Sequence, residues 1–129
     1  MTIERINPEG LFQSPAFSQA TIAPAGRTLY IGGQNGVDAS GNLADGIAAQ
    51  TRQVFENLDT ILAAAGATPA DVAKLTIALV DTVDPTEGFQ AVPAEWARVR
   101  TAITVLLVSR LGAGASTLVE VDAVVALPE

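Results

Sequence analysis

Cysteine and histidine are both missing from the 129 residues. Without cysteine the chain can form no disulfide, thiolate nucleophile or thiolate metal site, and without histidine it lacks the usual neutral-pH base and the commonest transition-metal ligand. Most hydrolytic recipes are excluded with them. Basic residues are scarce as well: seven Lys or Arg stand against fourteen Asp or Glu, and the net charge of −7 repels phosphate backbones and anionic membranes. Neither nucleic acid nor a membrane is an expected partner. No basic start leads into an apolar segment at the N-terminus, and no uninterrupted apolar stretch reaches the roughly 18 residues that suggest a span. The default expectation is a cytoplasmic protein.

What is present is largely apolar, with 49% of residues in the hydrophobic class, and the length suits one domain over residues 1–129 with one core. Residues 1–16 read as a polar, proline-containing lead-in. Segments 17–23 and 28–33 read as strands, with Pro24-Ala25-Gly26 as the turn between them. From 46 to 65 the apolar residues Ile47, Val54, Leu58, Ile61, Leu62 and Ala65 recur at helical spacing, and Gly66 follows as a stop. Thr68-Pro69-Ala70-Asp71 predicts a short capped turn, and 72–80 a strand with Leu75, Ile77 and Leu79 on one side. After a turn region at 81–87, a second helix is expected over about 89–100, where Phe89, Val92, Trp96 and Val99 share a face and Pro93 falls in the first turn. Two further strands, 102–109 and 117–126, flank a loop containing Gly112-Ala113-Gly114-Ala115. That loop lacks the Lys-Ser/Thr ending of a phosphate-binding loop, so its glycines read as turn formers.

The strand at 117–126 carries the strongest chemical signal. Glu120 and Asp122 are two residues apart in an apolar run, so both carboxylates emerge on one face while Val119, Val121, Ala123 and Val125 line the other. An unpaired buried carboxylate is costly, and that face must meet solvent, hydrogen-bond donors or a polar cleft. The preceding strand is apolar on both sides: Ala102, Thr104, Leu106 and Val108 on one, Ile103, Val105 and Leu107 on the other. Two helices cover only one face of a small sheet, so self-association is the economical cover for the second. Paired-carboxylate catalysis by Glu120 and Asp122 is weakly signalled, and no third clustered ligand accompanies them to suggest a metal.

Phe17-Ser18-Gln19-Ala20, Leu29-Tyr30-Ile31-Gly32-Gly33-Gln34, the run from Gln50 to Leu58 continuing to Ala64-Ala65-Gly66, and Val119 to Val124 occur in an order and spacing that resembles the Rid family, the YjgF-like reactive intermediate deaminases. The resemblance implies an α/β (α+β), chorismate-mutase-like (YjgF/RidA-like) fold, with a mixed sheet covered on one face by two helices. It also implies a homotrimeric barrel with small-metabolite clefts between subunits. Deaminase members hydrolyse imines and enamines such as 2-iminobutanoate to 2-oxo acids and ammonia, with no cofactor and no metal. Their key arginine, in a Pro-Ala-Arg-Ser/Thr segment, holds the substrate carboxylate by paired hydrogen bonds.

Here the corresponding segment is Thr101-Ala102-Ile103-Thr104, which puts Ile103 at the arginine position. Glu120 matches the acidic residue expected to position water and assist proton transfer. The tyrosine before Ser-Gln-Ala is Phe17, the serine before Gly-Gln is Gly32, and Pro93 stands where an asparagine is common. The residues carried over are therefore Glu120 as catalytic candidate, and Phe17, Gly32, Gly33, Ile103 and Arg100 as substrate-binding candidates. Arg98, Arg100 or Arg110 is an alternative carboxylate anchor. Arg98 and Arg100 can equally solvate a helix end. The expected function is metabolite binding by a divergent trimer with the familiar deamination absent or altered. The alternatives are an imine hydrolase with a relocated arginine, or a structural or protein-binding trimer.

Overall fold

The computed structural model describes residues 2–129. Its longest element, α1 (Gly46–Ala64), buries Ile47, Val54, Phe55, Leu58 and Leu62 along one stripe, as the helical spacing requires. Ala65 caps it, and Gly66 follows with φ 74, where the Gly66 N–H donates to Ala63 O and the Ala67 N–H to Leu62 O. These two bonds satisfy carbonyls that the last turn leaves open. A single 3-10 turn, Pro69–Asp71, is capped reciprocally by Thr68 and Asp71, as the sequence predicts.

The remaining elements are β1 (Glu4–Ile6), β2 (Ala20–Ile22), β3 (Thr28–Asn35), β4 (Val72–Val80), α2 (Pro85–Gln90), α3 (Ala94–Ala97), β5 (Ala102–Val108) and β6 (Val119–Ala126). Four strands form a mixed sheet in the order β3-β6-β4-β5, parallel only between β4 and β5. Paired residues share a face, so register divides the sheet. Leu75, Ile77 and Leu79 of β4 join Val119, Val121, Ala123 and Val125 of β6 beneath α1 in the core. Burial of a side chain such as Leu58, wholly shielded from solvent, contributes about 1.5–3 kcal/mol.

The other face carries Lys74, Thr76 and Ala78 of β4, Glu120, Asp122 and Val124 of β6, Tyr30 of β3, and Thr104 and Leu106 of β5. No helix covers it. Tyr30 is 76% exposed and Leu106 46% exposed on this side. The mixed sheet with helices on one face is the architecture expected.

Four local expectations are corrected. The strand foreseen at 17–23 shrinks to Ala20–Ile22, and it pairs with β1 rather than across a hairpin with β3. The lead-in therefore contains a strand, whose Arg5 Nε donates to Val99 O at 2.7 Å. The second helix is two short ones: Pro93 supplies no amide donor and disfavours helical backbone at Val92, so α2 ends at Gln90 and α3 restarts after Pro93. Part of the segment expected as a turn is α2 itself, with Asp84 Oδ1 accepting from the Thr86 N–H.

Candidate functional site

The sequence-derived candidates fall into three places. Phe17 and Ile103 come together in a cavity of about 420 Å3 on the helix-covered side, whose wall also includes Phe55, Leu75, Phe89, Val92, Trp96 and Val105. Every lining residue is apolar. Register explains Ile103: it pairs with Leu75, which pairs with Ala123, so all three point toward the core side. Breaking the second helix at Pro93 folds Phe89, Val92 and Trp96 around the cavity. Trp96 meets Phe55 edge-on at 5.1 Å between ring centroids, and its Nε1–H donates to Asp59 Oδ1 at 2.8 Å. The indole donor is thereby occupied, leaving the ring to the cavity.

Glu120 and Gly33 meet on the opposite, open face. A register shift between Ile31 and Gln34 makes a bulge in β3, bringing Asn35 opposite Glu120. The Glu120 carboxylate lies against Gly33, where an added Cβ would approach Glu120 Cδ to 2.7 Å. Asn35 Nδ2 donates to Glu120 Oε1 at 3.3 Å. Helix α1 holds this bulge from behind: Asn57 Nδ2 donates to the carbonyls of Asn35 and Val37, and Gln53 Nε2 donates to Asn57 Oδ1. Gly32 is exposed beside Gly33, and its carbonyl accepts from Gln34 Nε2. Asp122, two residues beyond Glu120, pairs with Thr76, while Lys74 Nζ donates to Thr104 Oγ1 at 2.7 Å on the same face.

Arg100 is in neither place. It lines a separate depression with Arg5, Glu95 and Arg98, at the end of α3. Arg110 is exposed in the loop after β5.

Chemically, the cavity offers shape and apolar contact without a charged group, while the Gly33–Glu120 corner offers an acceptor pair and an exposed backbone. Within one protomer the sheet separates them. Sequence reasoning missed Asn35, whose contact with Glu120 depends on the bulge. It placed Phe89, Val92 and Trp96 on one face, but as helix packing rather than as a cavity wall.

An uncovered mixed sheet backed by α1, with these two faces, defines an α/β protein of the RidA-like class. The sequence profile of the family described as Endoribonuclease L-PSP matches residues 11–127, and the chain belongs to this family, the Rid or YjgF/RidA family. It is 36% identical over 110 residues to a RutC family protein of Pyrococcus horikoshii, covering 84% of each chain. It is also 42% identical over 71 residues to a 2-iminobutanoate/2-iminopropanoate deaminase of Rattus norvegicus, a match covering 54% of this chain and 50% of that one. The chain thus spans about half the length of the first curated relatives it matches. Among solved structures, a Rid-family protein of unknown function from Yersinia pestis shares 34% identity at a TM-score of 0.85, covering 98% of this chain and 100% of that one. RidA from a Psychrobacter species shares 30% identity at a TM-score of 0.70, covering 88% and 96%.

Proposed function

We propose that the chain is a divergent Rid-type homotrimer that holds a small metabolite in clefts between subunits, with turnover of 2-iminobutanoate and 2-iminopropanoate absent or altered. The observation that carries this reading is Ile103, which sits in a cavity wall built only of apolar side chains. An imino acid presents a carboxylate, and Ile103 has no donor with which to hold it. Loss of such a clamp removes orientation as well as binding energy. Phe17 lines the same cavity and adds no hydroxyl.

Assembly bears on the site because Glu120 and Ile103 lie on opposite faces of one sheet. Only a second copy can bring a Glu120 carboxylate to the mouth of an Ile103 cavity, which favours clefts between subunits as the place of binding. An uncharged or weakly polar metabolite suits the cavity wall, with Glu120 and the backbone near Gly33 as its polar contacts.

The test is a coupled assay of freshly generated 2-iminobutanoate and 2-iminopropanoate, comparing the native protein, Glu120→Gln and a no-protein control. Both proteins are expected near the control rate. Rapid native turnover that Glu120→Gln abolishes would overturn the reading in favour of an imine hydrolase with its carboxylate anchor elsewhere.

A further inference from the structure

Arg5, Arg98 and Arg100 bring three of the chain's seven basic side chains to one depression of about 310 Å3 at the end of α3. Glu95 is the one acidic residue in its lining, so three guanidiniums against one carboxylate leave two net positive charges (3 − 1) in a chain whose total is −7. Like charges gathered this way repel one another.

Two backbone features hold the cluster. Arg5 Nε donates to Val99 O at 2.7 Å, which ties β1 to the segment carrying Arg98 and Arg100 and leaves both Nη groups outside that bond. Arg100 has φ 51, and it alone among the described non-glycine residues adopts positive φ. Glycine or asparagine occupies such a conformation more readily. Local packing explains the kink, since Ser18 Oγ donates to Arg100 O and the Ser18 N–H to Thr101 O. It does not explain the side chain, because a glycine would offer the same carbonyl. Among the described residues, neither the Arg98 nor the Arg100 guanidinium donates a hydrogen bond.

We propose that this depression is a binding site for a dianionic phosphoryl group, carried by free phosphate or by a phosphate monoester. Two net positive charges match a dianion, and planar guanidinium forks suit tetrahedral oxyanions. The site is separate from the apolar cavity, sharing no lining residue with it, and stands or falls without the reading given above.

Titration of the native protein with inorganic phosphate and, separately, with glycerol phosphate, followed by backbone amide NMR shifts at constant ionic strength, tests it. Saturable shifts at Arg5, Val99 and Thr101 are expected, with sodium chloride and sodium acetate producing none. Arg98→Ala and Arg100→Gly should each weaken binding at least ~10-fold, whereas Arg27→Ala and Arg110→Ala should leave it unchanged. Arg100→Gly relieves the backbone conformation, so its weaker binding would not reflect unfolding. Tighter binding of glycerol phosphate would assign the site to a phosphorylated metabolite, and equal binding to the phosphate group alone. Shifts no larger than those from chloride, or an equal loss in Arg27→Ala, would overturn the proposal.

Discussion

Gly33 and Glu120 share one space: a Cβ on the glycine would stand 2.7 Å from Glu120 Cδ and 2.9 Å from Oε2. The carboxylate lies over the β3 bulge because Gly33 has no side chain. The clashing atoms are the far end of a rotatable chain, so Gly33→Ala is expected to cost less than about 1 kcal/mol while displacing Glu120 from Asn35. Thermal unfolding of both single variants and of Gly33→Ala combined with Glu120→Ala checks this, because the alanine at 33 should cost less once Glu120 is gone. Equal cost in both backgrounds would show that the contact is not what constrains the site.

Gly36 meets backbone instead. Its added Cβ would come within 2.6 Å of Gln50 Cα in α1. Main chain in a packed helix cannot rotate aside, so Gly36→Ala should destabilise by about 2 kcal/mol or more. Urea denaturation should show a lower midpoint than Gly33→Ala does; the reverse order would contradict the packing.

Gln50 is almost wholly buried, and its amide ties three segments together. Nε2 donates to the carbonyls of Ala44 and Ser116, and Oε1 accepts from the Leu118 N–H. Replacing Gln50 with leucine strands all three backbone groups, at a cost of about 3 kcal/mol on the scale of one lost partner each. Chemical denaturation provides the measurement, and a loss below about 1 kcal/mol would mean that water replaces the amide.

Thr51, the next residue, reverses the sign. Its hydroxyl is buried without a hydrogen-bond partner among the described residues. Thr51→Val removes that unsatisfied group at nearly constant shape, so stability should be unchanged or higher by up to about 1 kcal/mol. A clear drop in melting temperature would reveal a partner for the hydroxyl.

The proposed trimer makes Leu106 and Leu107 inequivalent. Leu106 pairs with Ala78 on the open face, whereas Leu107 pairs with Leu79 on the helix side at the sheet edge. Sedimentation of the native protein at micromolar concentration should report a trimer. Leu106→Asp should shift it to monomer with its circular dichroism retained, and Leu107→Asp should leave assembly intact. A native monomer would remove the trimer and the shared cleft together.

Helix α1 and strands β4 and β6 are legible because each repeats a local rule, buried residues three and four apart in α1 and alternate buried residues along the two strands, whereas β5 is legible only as a continuous apolar run, with no alternation in its burial. Strand β1 is not. It is three residues long and exists through its pairing with β2, a distant partnership that periodicity does not encode. Pro93 is visible in the sequence, but whether it opens one helix or separates two depends on the packing of Phe89, Val92 and Trp96, which spacing alone does not give. The family resemblance names Phe17 and Ile103 as separate positions, and that they line one cavity is seen only in the fold, just as Asn35 beside Glu120 requires a register shift that no spacing in the sequence reveals. The Arg5–Val99 link likewise joins residues 94 apart.

The chain has one tryptophan and one tyrosine, and the fold puts them on opposite sides of the sheet. Trp96 is buried in the cavity wall against Phe55, while Tyr30 stands 76% exposed on the uncovered face. Each fluorophore therefore observes one event without a label. A molecule entering the cavity would change the surroundings of the indole, and a second subunit of the proposed trimer, closing over the sheet, would change those of the phenol. Emission excited selectively at the indole and absorbance difference spectra of the phenol can then follow occupancy and assembly as independent signals in the native protein.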